Sequence, residues 1–143
     1  MGKYQISNFK GVFSKDLLPK IINQNESCIV NIEDYFNGNG THWVCIYNDH
    51  NSKDVEYFDS FGLYPSDVVV DYMKTSQKGI IYNDGEIQDS NSIMCGYYCC
   101  YYIIKRFTGH KHIDILLDFD QEPTSKNEKQ ITKFAYNLYN DII

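Results

Sequence analysis

At 143 residues the chain is long enough for one domain with a real core and too short for two, so a single domain over 1–143 is expected. Hydrophobic residues at 43% and aromatics at 15% exclude a disordered chain. A formal charge of −6 argues against a general binder of nucleic acid or anionic membrane. The one basic stretch, Lys105-Arg106 followed by His110-Lys111-His112, reads as a solvated helix end.

The opening Met1-Gly2-Lys3-Tyr4 does not read as a secretory leader, and no apolar run approaches the roughly 20 residues that span a bilayer. Phe13 to Pro19 suggests a short helix capped at Ser14 and ended near Pro19. Cys28 to Ile32 is β-rich, and Asn37-Gly38-Asn39-Gly40 reads as a flexible turn. The turn leads into His42-Trp43-Val44-Cys45-Ile46-Tyr47, a buried strand. Asn48 to Lys53 is a polar hairpin loop, and Val55 to Asp59 is the partner strand. Pairing through that loop makes His42 and Asp59 cross-strand neighbours.

Pro65-Ser66-Asp67 starts a helix running to about Ser76, and Gly79 to Tyr82 is a further strand. A loop from Gln88 to Met94 precedes Cys95 to Phe107, whose apolar residues on all sides predict a helix buried at the centre, ended by Thr108-Gly109. In the last segment Ser125 and Glu128 have the spacing of a capping box. Ile131, Phe134, Ala135 and Leu138 then fall on one helical face.

Five cysteines, with Cys99 and Cys100 adjacent, do not read as a disulfide framework, which favours a reducing compartment. Cys28, Cys45, Cys99 and Cys100 fit small buried core residues. Cys95 differs because it opens a helix, where unpaired N–H groups and the macrodipole favour a thiolate. Gly96 beside it leaves room for a substrate backbone. His42 is the candidate base; His50, His110 and His112 sit in polar surroundings without an evident partner. His42 and Cys45 stand three apart, on opposite faces of a strand, and no second ligand pair follows, so no metal site is expected. Gln88, seven residues before Cys95, can offer a side-chain N–H to a tetrahedral oxyanion alongside the Cys95 amide.

Taken together, Gly40-Thr41-His42-Trp43, Tyr57-Phe58-Asp59-Ser60-Phe61-Gly62 and Gln88 through Asn91-Ser92-Ile93-Met94-Cys95-Gly96-Tyr97-Tyr98-Cys99-Cys100 resemble the adenovirus-type maturation proteases. Their fold is shared with the proteases that process ubiquitin-like proteins. The last segment is nearer the adenoviral form, since Met94 stands where ubiquitin-like-protein proteases commonly carry an acid. The resemblance implies an α+β fold with a central mixed sheet flanked by helices and the nucleophile at the N-terminus of a buried helix. It implies Cys95 as nucleophile, His42 as general base and acid, Asp59 orienting His42, and Gln88 in the oxyanion hole. Trp43 and Gly96 would border a narrow groove for small residues, Gly above all, at the cut.

The expected function is cleavage of viral capsid or core precursors during particle maturation, by a monomer in the virion, host cytoplasm or viral factory. The alternative is removal of ubiquitin or a ubiquitin-like modifier from host proteins. No cofactor is expected, and the acidic balance speaks against a DNA activator.

Overall fold

The computed structural model describes residues 6–33, 42–89, 92–122 and 125–142. The expected turn at Asn37 to Gly40 lies outside them, as do Thr41 and the Ser90-Asn91 part of the loop before Cys95. Five strands form one sheet: β1 (Phe9–Ser14), β2 (Glu26–Asn31), β3 (Trp43–Asn48), β4 (Asp54–Phe58) and β5 (Gly79–Tyr82). They lie side by side in chain order, with β1/β2 and β4/β5 parallel and the two inner pairs antiparallel. The helices are α1 (Asp67–Lys74), α2 (Cys95–Phe107), α3 (His112–Leu116) and α4 (Ser125–Ile142). The architecture is the expected α+β class with a mixed central sheet.

Period-2 alternation sorts the strand side chains into two cores. Cys28, Val30, Val44, Ile46, Val55 and Tyr57 face α1, where they meet Val69, Tyr72 and Met73. Their neighbours Ile29, Cys45, Tyr47 and Phe58 face the other way and pack on Tyr98, Cys99, Tyr101, Tyr102 and Ile103 of α2. Ile115 of α3 and Ile131 of α4 close that second core. Helix α2 therefore lies between the sheet and α4, which is why its sequence is apolar on every side.

Besides the unanticipated short helix α3, four features depart from the sequence reading. The Ser14–Pro19 helix is only a 3-10 turn over Lys15–Leu17, and Ser14 makes no side-chain cap. Strand β1 is unanticipated because its pattern is broken: Gly11 sits at φ 133° and the pairing with β2 slips between Phe9 and Val12. The Ser125–Glu128 capping box does not form as read. Ser125 is the first helical residue, and Glu128 reaches instead to the Tyr98 hydroxyl at 2.5 Å.

The fourth correction concerns the basic stretch. Arg106 and His112 are buried, not solvated. The Arg106 guanidinium bonds Glu56 at 2.7 and 2.9 Å and Asp49 at 2.9 Å, and lies over the Tyr47 ring. The His112 Nδ1 lies 2.7 Å from the Tyr102 hydroxyl, which also reaches Glu56. Burial opposes charge on Arg106, but Glu56 and Asp49 more than offset it and hold the pKa above its usual value. This cluster fastens the end of α2 and the start of α3 to the β3–β4 hairpin.

Candidate active site

Cys95 is the first residue of α2 and is 5% exposed. An N-terminal helical residue has no intrahelical partner for its N–H, and the helix dipole is positive there. The other thiols are different. Burial raises Cys28 to about 12 and Cys100 to about 11, and lifts Cys45 and Cys99 as well, which favours the protonated thiol at all four. Burial also pushes Cys95 up. There it is outweighed by the His42 imidazole and by the backbone N–H groups of Trp43 and Gly96, so its pKa falls below the ordinary value.

His42 immediately precedes β3, and Asp59 immediately follows β4. The His42 Nε2 lies 2.6 Å from the Asp59 Oδ1, with both side chains buried. A carboxylate can only accept, so Nε2 carries the hydrogen and Nδ1 is the basic nitrogen. That nitrogen is buried and has no well-formed hydrogen bond among the described residues; the group it is coupled to is the Cys95 thiol. Burial lowers the imidazole pKa, but Asp59 and Cys95 together raise it to about 9. The Phe61 ring stacks on the imidazole at 4.5 Å and fixes its plane. A thiol brought down beside an imidazole brought up is a thiolate–imidazolium pair in the making.

Asp59 is itself held. Its Oδ1 also accepts the Phe61 N–H at 2.8 Å. Asn83, directly after β5, clamps its backbone from both sides: the Asn83 Oδ1 accepts the Asp59 N–H at 3.0 Å, and the Asn83 Nδ2 donates to the Asp59 carbonyl at 2.6 Å. Gln88 is fully buried and its Nε2 donates to the Ser92 carbonyl at 2.9 Å. Its side-chain oxygen accepts the Ser60 hydroxyl. From α4, Asn127 donates to the Ile87 carbonyl at 3.1 Å and Glu128 accepts the Asp89 N–H at 3.3 Å, so the segment carrying Gln88 is pinned on both flanks.

Trp43 is half-buried, and a Cβ placed on Gly96 would stand 4.0 Å from its ring. The two border an apolar groove of about 360 Å³ with Val12, Ile29, Ile93 and Tyr97. Among the described residues, no group of three His, Cys, Asp or Glu side chains could hold a metal ion, and no helix is long and apolar enough to cross a membrane.

The arrangement thus brings His42, Asp59 and Cys95 together. Gln88 is set on a loop locked to Ser60, and Trp43 and Gly96 line the adjoining groove. Ser60, Asn83 and Asn127 are supporting residues that the sequence reading does not single out, and Glu128 is one it reads only as a capping residue. Ser60 lies inside a motif it does quote, whereas Asn83 reads only as a polar residue after a strand.

No family model and no curated protein matches the chain. Among solved structures it is similar to a protease of ASFV in two determinations. One is 24% identical with a TM-score of 0.54, covering 71% of this chain and 40% of that one. The other is 22% identical with a TM-score of 0.55, covering 75% and 41%. This chain has the fold of that viral protease. Its match spans about two fifths of the viral protease's length. The SUMO protease Ulp1, its catalytic cysteine oxidised to a sulfinic acid, is a looser likeness: 19% identical, covering 62% of this chain and 47% of that one, with a TM-score of 0.42.

Proposed function

We propose that the chain is a cysteine endopeptidase of the adenovirus type, cutting viral capsid or core precursors during particle maturation. The observation that carries this reading is the buried His42–Asp59 contact at 2.6 Å, with Cys95, the first residue of a buried helix, electrostatically coupled to that imidazole. In the proposed reaction the Cys95 thiolate attacks the scissile carbonyl. The oxyanion is met by the Cys95 N–H and the Gln88 side-chain amide. The His42 Nδ1–H then protonates the leaving amine, and the C–N bond breaks to give a thioester. Neutral His42 takes a proton from water, which hydrolyses the thioester and restores the thiolate–imidazolium pair. Asp59 keeps the imidazole in the tautomer this needs.

Small residues at the cut, Gly above all, would pass between Trp43 and Gly96, and the groove they border suits an apolar side chain. The substrates would be met in the virion, the host cytoplasm or a viral factory, by a monomer without cofactor. The second reading keeps the chemistry and changes the substrate to a ubiquitin-like conjugate. The motif Asn91-Ser92-Ile93-Met94-Cys95-Gly96 and the likeness of fold to a viral protease support the first.

The test is to incubate the protein, and its Cys95→Ala variant, with capsid and core precursors of the virus that encodes it and with ubiquitin-like fusions. Cleavage of precursors alone, absent in the variant, is the expected result. Cleavage of the fusions alone would establish the second reading, and cleavage that survives Cys95→Ala would end both.

A further inference from the structure

We propose that Ser60 is a positioning residue that anchors the oxygen end of the Gln88 amide, whose orientation the Ser92 carbonyl sets, joining the base-orienting corner of the site to the oxyanion corner. This rests on the peptidase reading above for its role, but not for its geometry.

A glutamine side chain can sit in one place in two ways, with its oxygen and nitrogen exchanged. Only one of them can donate to an oxyanion. The Ser92 carbonyl, which can only accept, takes one Nε2 hydrogen at 2.9 Å. That contact alone is a single bond to the half-buried Ser92. The opposite end of the amide is met by the Ser60 hydroxyl, which donates to Oε1. Both side chains are essentially out of solvent, Ser60 at 1% and Gln88 at 0% exposed. Away from bulk solvent, the Ser92 carbonyl sets which end of the amide carries the hydrogens, the Ser60 hydroxyl holds the other end in place, and the second Nε2 hydrogen remains to be given.

Ser60 holds the backbone in register as well. Its carbonyl accepts the Ile87 N–H at 2.8 Å and the Gln88 N–H at 2.9 Å. Ser60 is also the residue after Asp59, whose carboxylate receives His42. One short segment therefore sets the imidazole through Asp59 and the amide donor through Ser60. Removing the hydroxyl leaves the Gln88 Oε1 buried without a donor, so the amide must turn or shift to find one. A misplacement of about 1 Å in catalytic geometry can cost about 10²-fold in rate.

The test compares the wild type, Ser60→Ala, Gln88→Ala and the double variant on a peptide substrate. It is read together with the side-chain amide signals of Gln88 in ¹⁵N-labelled protein. Ser60→Ala is expected to lower kcat by about 10²-fold with KM little changed. In the Gln88→Ala background the same substitution should cost nothing further, since Ser60 acts through that amide. The Gln88 amide signals should shift and exchange faster in Ser60→Ala, while iodoacetamide still alkylates Cys95 with the wild-type pH profile. Unchanged kcat, an equal loss in both backgrounds, or unmoved amide signals would each overturn the proposal. If the wild type cuts no peptide at all but the amide signals move as stated, the peptidase reading falls and the positioning of Gln88 by Ser60 stands.

Discussion

His42 reaches Asp59 diagonally, not straight across the ladder. The β3–β4 register pairs Tyr47 with Glu56, Ile46 with Tyr57 and Cys45 with Phe58. Continued by one step, it would put Asp59 opposite Val44, two residues from His42. The imidazole closes that offset because both residues have left the regular strands, and the Phe61 ring packs on it from beyond Asp59. The 2.6 Å contact is thus a product of where the two strands end.

Asp59→Asn should separate orientation from charge. Burial alone lowers the imidazole pKa, and it is Asp59, with Cys95, that raises it to about 9. The alkaline limb of kcat/KM, where the imidazolium loses its proton, should therefore lie near 9 in the wild type and move down in the variant. The limbs belong to the coupled pair, so the shift of the limb is the quantity to read. Activity should fall less than in Cys95→Ala or His42→Ala. Equal losses would give Asp59 a larger part than orientation.

Gly62 shapes the segment that carries both Asp59 and Ser60. It sits at φ 74°, and a Cβ there would stand 2.8 Å from the Gly85 carbonyl carbon and oxygen. Left-handed backbone alone costs a residue with a side chain about 1–2 kcal/mol, and the backbone contact adds to it. Gly62→Ala should lower Tm by roughly 5 °C, measured by thermal melting, and should depress activity through the displaced Phe61.

The Arg106–Glu56 pair lies at the far end of α2 from Cys95. Arg106→Met leaves the Glu56 carboxylate buried with only the Tyr102 hydroxyl, and should cost about 3 kcal/mol in a denaturant titration. Adding Glu56→Gln removes the stranded charge and keeps an acceptor for Tyr102, so much of that loss should return. A single variant as stable as the wild type would mean that the cluster is not what fastens α2 to the hairpin.

What could be read in the sequence was whatever rests on local pattern. The bounds of β5 and α2 follow from β-branched and apolar runs between clear breaks, and the fold class was what the resemblance implied. Strand β1 escaped because a glycine and a slipped register break its alternation. The short α3 escaped because nothing local predicts it. Arg106 read as solvated because its partners Asp49 and Glu56 lie 57 and 50 residues away. Glu128 read as a capping residue because Ser125 precedes it at the right spacing, yet Tyr98, 30 residues away, claims its carboxylate. In the site, His42, Asp59, Gln88 and Cys95 stood out by residue type and spacing. Ser60 and Asn83 act through contacts spanning 28 and 24 residues, which spacing does not reveal.

The central claim, a Cys95 thiolate sustained by His42, is tested most directly by the rate of Cys95 alkylation with iodoacetamide as a function of pH, in the wild type and in His42→Ala. The account predicts a thiolate that reacts below the ordinary thiol value of 9.0, with the profile moving upward when His42 is removed. A profile that rises only near 9.0 and is indifferent to His42→Ala would contradict it.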